Sequence, residues 1–394
     1  MPLKRRLGMG RYFILALTVI LGAASRLIAE APAPASQPAS NVLGEYKIGR
    51  WAEPILMPVT WEGKEGYFLV DTGLVTNAVD SKAFSKLGLT PASLATAGGN
   101  HHQEMCEPPE LRVGPFLLSH CGPVARIDLA FLSACFDRRV IGILGLAAFD
   151  DVVLQIDFDS HRLRFIEPDW NTHPEWGMPI PGFVDKNKVC ILRTRMGGVE
   201  ESMYLETSHI AFATLPTDEL KSLANHENLA VRTWPRSTAS GAARLDELTV
   251  PTLEIAGFKY RDQQIGETKS GVPSFGLEFL ERHLTTIDFA RHKLYLKEGK
   301  EFDRPRASFI SGVNLWRQDN KALVYMIAPG SCAEQAGIGI GDVILEINGR
   351  LGADTDIYDL LDMLQSSQAG REVAVRLLHD GVEKTVTLKL LRDD

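Results

Sequence analysis

The feature that most constrains this chain is a repeat within itself. Gly145 to Phe165 reads GLAAFDDVVLQIDFDSHRLRF and Gly276 to Leu296 reads GLEFLERHLTTIDFARHKLYL, with seven of the 21 positions identical at a constant offset of 131. Self-similarity at a fixed spacing implies one structural unit built twice. The apolar alternation around Ile-Asp-Phe has the period of a strand, so the same strand and turn are expected in both copies. Upstream the correspondence is looser. Phe68 to Gly73 parallels Met203 to Ser208 at an offset of 135, and a short helix is expected after each, near Lys82 to Leu87 and Asp218 to Leu223. Short apolar runs broken by Gly, Pro and Asn make the region mainly β, in two related lobes.

With 394 residues the chain is too long for one core. Apolar residues at 45% and charged residues at 23% exclude extended disorder. Residues 1–31 carry Lys4, Arg5 and Arg6, an apolar run from Tyr12 to Ala24 and small residues from Ala29, the order of a signal peptide. An uncleaved N-terminal anchor is the alternative, which would attach the protein to a membrane. Both readings put the body outside the cytoplasm, periplasmic, secreted or anchored. Residues 32–44 are a Pro/Ala/Ser linker, 45–170 the first lobe and 180–298 the second, and 308–392 a separate C-terminal unit after a charged spacer. A net charge of −8, with no basic stripe beyond the N-terminus, excludes nucleic acid as a partner and favours polypeptides. Five cysteines are too few for a disulfide framework, with one bridge among Cys106, Cys121 and Cys135 left open.

The residues with chemistry to offer are Asp71, Thr72 and Gly73. An apolar strand, Tyr67 to Val70, delivers the Asp71 carboxylate to a turn. Gly73, lacking Cβ, lets backbone N–H groups close on that carboxylate, and Thr72 can bond across to a second lobe. Seventy residues on, Ile143-Leu144-Gly145 repeats an apolar-apolar-Gly strand. The pair of signatures resembles the retropepsin-like and pepsin-like aspartic peptidases, over residues 45 to 298. The resemblance implies a bilobal aspartic-protease-like β-barrel fold, in which two carboxylates share a proton and activate water on a peptide bond without metal or cofactor. The second lobe departs from the pattern. It offers Glu206-Thr207-Ser208 at the matching turn and only Phe275-Gly276 of the supporting motif. Three readings stay open: Glu206 as the second catalytic carboxylate, a degenerate second lobe with the protein acting as a peptide-binding pseudo-protease, or pairing of Asp71 lobes between two chains.

Other candidates carry structural readings. Gly98-Gly99-Asn100 and Ser240-Gly241 are candidate flap turns. His101, His102 and Cys106 are read as exposed loop residues rather than metal ligands. Asp157 and Asp288, with His161 and His292, are read as formers of hairpin turns.

Phe309 to Leu391 resembles a PDZ domain, through Gly312-Val313-Asn314-Leu315, Ala328-Pro329-Gly330-Ser331, Ala333, Ala336-Gly337, Gly341-Asp342-Val343-Ile344 and Asn348-Gly349. This α+β unit is expected to bind an extended peptide by strand addition. The Gly312 loop, Val313, Asn314 and Leu315 would receive the chain end, and a helix bearing Tyr358 would line the side-chain pocket. The alternative is a module that only packs on the lobes.

Overall fold

The computed structural model describes residues 41–50, 53–88, 94–96, 99–169, 171, 173–180, 183–184, 189–196, 198–238, 241–304, 309–366, 368 and 370–392. The signal or anchor segment expected at residues 1–31, and most of the linker after it, lie outside the described residues.

The first lobe contributes β1 (Val42–Lys47), β2 (Leu56–Trp61), β3 (Lys64–Val70), β4 (Ala78–Asp80), β5 (Met105–Cys106), β6 (Val124–Ile127), α1 (Ala130–Phe136), β7 (Val140–Leu144), β8 (Val153–Asp157) and β9 (Arg162–Ile166). Its sheet has the order β2-β3-β7-β4-β6-β5, with β7 parallel to β3 and antiparallel to β4. After β10 (Met178–Ile180), the second lobe contributes β11 (Phe183–Val184), β12 (Cys190–Met196), β13 (Val199–Leu205), β14 (Ala213–Pro216), α2 (Thr217–Glu227), β15 (Arg232–Thr238), β16 (Gly241–Ile255), β17 (Phe258–Thr268), β18 (Ser274–Phe275), α3 (Leu277–Leu280), β19 (His283–Asp288) and β20 (Lys293–Glu298). Its sheet has the order β11-β12-β13-β18-β14-β17-β16-β15. Here β18 is parallel to β13 and antiparallel to β14, which repeats the relations of β7 to β3 and β4.

The Ile-Asp-Phe repeat becomes the seam between the lobes. β8 pairs antiparallel with β19, Val153 opposite Asp288 and Asp157 opposite Leu284, at the centre of a sheet ordered β1-β9-β8-β19-β20-β10. Burial continues across the seam, with Phe149 of the first lobe stacked on Phe289 of the second at 5.5 Å between ring centres. One apolar cluster runs through both lobes, and each fully buried aromatic in it contributes about 1.5–3 kcal/mol. Asp157 and Asp288 each accept a backbone N–H three residues on, from Ser160 and Arg291. His161 and His292 take left-handed backbone angles, φ 54° and 55°, so all four residues build hairpin turns.

Three local expectations are corrected. Helix α2 forms where the sequence places it, but Lys82 to Leu87 makes turns, with the Asp80 carboxylate accepting the N–H groups of Lys82 and Ala83. Cys106 is a buried strand residue, not an exposed loop residue. All five cysteines are free thiols, so the bridge left open does not form.

The C-terminal module has a separate core. Its sheet runs β21 (Val313–Gln318), β22 (Lys321–Ile327), β23 (Val343–Ile347), β24 (Glu372–His379) and β25 (Val382–Lys389), in that spatial order. Helix α4 (Cys332–Gln335) is capped by Ser331, and α5 (Ile357–Met363) by Asp356. β21 is an edge strand, with β22 as its strand partner.

Candidate functional site

The two turns that the repeat aligns meet at the junction of the lobes. Asp71 N–H donates to Leu144 O at 2.9 Å, and Glu206 N–H donates to Phe275 O at 2.9 Å, so each carboxylate leaves its strand over the same kind of support. That support requires glycine. A Cβ on Gly145 would lie 2.4 Å from Thr76 O, and one on Gly276 would lie 2.3 Å from His209 O.

Between the turns the threonines exchange hydrogen bonds. Thr72 N–H donates to Thr207 Oγ1 at 3.1 Å, and Thr207 N–H donates to Thr72 Oγ1 at 3.2 Å. Each hydroxyl then donates into the opposite lobe, Thr72 to Leu205 O at 2.6 Å and Thr207 to Val70 O at 2.7 Å. Both threonines are fully buried, so the four bonds hold the turns in register without competition from water.

The carboxylates differ in surroundings. Asp71 is buried, and its Oδ1 accepts Gly73 N–H at 2.8 Å. Burial pushes its pKa up to about 6, against the lowering effect of hydrogen bonds from Gly73, Ser208 and Leu74. Glu206 is driven up to about 8, first by burial and then by the charge on Asp71, with a hydrogen bond to Ser274 acting the other way. Gly73 has a specific role here. A Cβ at that position would lie 2.7 Å from Glu206 Cγ, so the bare glycine is what admits the longer side chain.

Beneath Glu206, Ser274 Oγ contacts His209 Nδ1 at 3.4 Å and Thr214 Oγ1 at 3.1 Å. His209 is buried, its Nε2 has no partner, and burial holds its pKa down to about 4. A Ser–His pair with no carboxylate on the imidazole lacks the orienting third member of a nucleophilic triad. Among the described residues no group of three or more His, Cys, Asp or Glu side chains is placed to hold a metal.

In the C-terminal module, Gly312 adopts φ +81°, and a Cβ there would lie 2.3 Å from the Ser331 Cβ. Val313, Asn314 and Leu315 are buried along β21, and Asn314 Oδ1 is without a partner. Tyr358 is half-buried on α5, and burial raises its pKa well above the usual phenol value. Helix α1 of the first lobe lies against this region, a neighbour that sequence reasoning missed. Phe131 meets Trp316 edge-on at 6.2 Å.

Comparison with known proteins gives a PDZ domain model, matching residues 311–390. A curated relative, "Probable periplasmic serine protease do/HhoA-like" of Haemophilus influenzae, is 33% identical over 73 residues. That match covers 18% of this chain and 15% of the relative, so the chain spans a small part of the relative's length. A solved structure of a photosystem II D1 C-terminal processing protease is 28% identical over 22% of this chain and 24% of its own. Its TM-score of 0.21 is too low to carry any argument about fold.

These matches correct two expectations. The assignment to the retropepsin-like/pepsin-like aspartic peptidases, as family and as fold class, is withdrawn, because the matching model is a PDZ model and the protease relative is named a serine protease. The aspartic catalytic type is withdrawn with it, on the same relative. What stands is a mainly β chain with a C-terminal PDZ domain. The meeting of the Asp71 and Glu206 turns is an observation of geometry and does not depend on the family name. An extracytoplasmic location accords with the relative's name and with the order of the N-terminal sequence.

Proposed function

We propose that this chain is an exported peptidase that recruits polypeptides by their chain ends through its PDZ domain. The observation that carries this reading is the PDZ match over residues 311–390 on a module whose β21 is an edge strand lying beside α5. An extended peptide would add to that edge by backbone hydrogen bonds. The loop at Gly312, with Val313, Asn314 and Leu315, would take the terminal carboxylate, and Tyr358 would border the side-chain pocket. The word peptidase rests on the relative, and its transfer is a proposal because of the limited match.

Asp71 and Glu206, held by Thr72 and Gly73, are kept as a candidate site at the junction of the lobes, with no catalytic type attached to them. A serine-type centre is the reading that the relative's name favours. Its nearest counterpart in this structure is the buried Ser274–His209 contact.

One experiment tests both. A peptide library is exposed to the wild type, Asp71→Asn, Glu206→Gln and Ser274→Ala, with and without a fluorophosphonate that labels active serines. Cleavage by the wild type is expected, lost when the reagent labels a serine. Cleavage that survives the reagent unlabelled would overturn the serine-type reading, and absence of cleavage by the wild type would overturn the peptidase reading.

A further inference from the structure

The PDZ groove is bordered by β21 and α5, and helix α1 of the first lobe, with the two residues that follow it, reaches both walls. Its Phe131 ring meets Trp316 of β21, and Trp316 in turn stacks on Tyr325 at 5.4 Å. At the end of α1, Asp137 pairs with Arg317 of β21 at 3.0 Å, while the next residue, Arg138, pairs with Asp356, the cap of α5, at 2.7 Å. Cys135 lies within electrostatic reach of Tyr325 and Tyr358, and Glu53 and Arg138 also act on Tyr358. Farther along α5, Arg50 pairs with Asp359 and, at 3.4 Å, with Asp362. The opposite end of the groove is set by Ser311 N–H, which donates to Leu364 O, so the contacts of α1 fall on the half away from the Gly312 loop.

From this geometry we propose that α1 is an internal occupant of the PDZ groove, so that a polypeptide chain end gains the full β21 edge only when the PDZ module swings off the first lobe. The inference rests on the peptide-capture reading above and adds a gate to it.

The contact is built to release. Helix α1 keeps its own apolar anchors, Leu132 and Phe136, in a cluster with Leu69 and Ile143 of the first lobe, whereas the PDZ core is a separate cluster. The contacts between them among the described residues include one aromatic contact, ion pairs of partly exposed side chains and the Asp137 pair with the nearly buried Arg317. Ion pairs whose side chains keep partial contact with water are weakened by salt. A rigid PDZ module can therefore leave without unfolding either core.

The test uses the full chain and fluorescein-labelled decapeptides ending in Val, Leu, Ile or Phe, as free acids and as amides. A release variant, Arg50→Ala/Asp137→Ala/Arg138→Ala, changes only residues of the first lobe. Anisotropy is expected to show about ten-fold tighter binding of free-acid peptides to the variant than to the wild type. Hydrogen exchange at Val313 to Gln318 is expected to quicken in the variant. If the variant fails to fold, the wild type is titrated from about 0.05 to about 0.5 M salt, where tighter binding and faster exchange of the same strand are expected. Equal affinity with unchanged exchange overturns the gate while leaving peptide capture intact. Faster exchange with no binding of any free-acid peptide supports the gate and overturns the capture reading.

Discussion

The turn of the first lobe and the turn of the second occupy equivalent places and are held by equivalent bonds, yet only the threonine is shared between them. Asp71-Thr72-Gly73 has the short carboxylate and the bare glycine; Glu206-Thr207-Ser208 has the long carboxylate and a hydroxyl. Each departure is absorbed by the other lobe. Glu206 extends over Gly73, where a Cβ would collide at 2.7 Å, and Ser208 bonds the Asp71 carboxyl. The supports differ in a similar way: Gly145 N–H donates to the Asn77 side chain, and Gly276 N–H to the Phe212 backbone. A duplicated unit can therefore change its reactive residues while the frame stays symmetric, provided the changes are complementary across the axis.

The frame is easiest to break at the glycines. Gly145→Ala and Gly276→Ala should each cost about 3 kcal/mol or more, because the obstructing atoms are backbone carbonyls that cannot move aside; chemical denaturation measures the loss. A much smaller cost at one of them would show that the two supports are not equivalent. Next come the threonines. Thr72→Val and Thr207→Val should each lose about 2–4 kcal/mol, since each strands buried partners in both lobes. The double variant should lose less than the sum, because the same exchange of bonds is removed twice.

The carboxyl pair provides a test of intermediate size. Both groups have folded pKa values above their ordinary ones, about 6 for Asp71 and about 8 for Glu206. The folded state therefore holds protons that the unfolded state releases near pH 4. Stability should be fullest below that pH and fall as pH rises through 6 toward 8. Denaturation across that window should show the slope in the wild type and a shallower one in Asp71→Asn. A slope of opposite sign would mean that the pair is stabilised in its ionised form. The smallest effect is expected at Ser208→Ala, which removes a bond to the Asp71 carboxylate and should raise that group's pKa further with little change in stability. Carbon-detected NMR titration of the Asp71 carboxyl measures it.

Much of the frame was legible because it is local or repeated. Strand periodicity about Ile156 and Ile287, the hairpin turns at Asp157 and Asp288, and the amphipathic run at Asp356 to Leu364 need no knowledge of distant residues. The failures have physical causes. Lys82 to Leu87 looks helical in composition, but it forms turns after Asp80. The family name drawn from Asp71-Thr72-Gly73 did not survive comparison, because a three-residue turn and a lobed pattern carry geometry more securely than ancestry. The docking of α1 on the PDZ groove was invisible. It depends on pairs such as Arg138–Asp356, whose members are far apart in the chain and singly look like ordinary surface charges.

The sequence by itself determined that a β unit occurs twice, that a threonine sits at the matching turn of each copy, and that a PDZ module follows. Hydrophobic alternation and turn chemistry are properties of short segments, and they survive in the letters. Only the tertiary structure decided that Glu206 fits across from Asp71 over Gly73, that burial lifts both carboxyls, and that α1 lies on the PDZ groove. Burial, close approach and long-range ion pairing arise when segments are brought together, and no single segment encodes them.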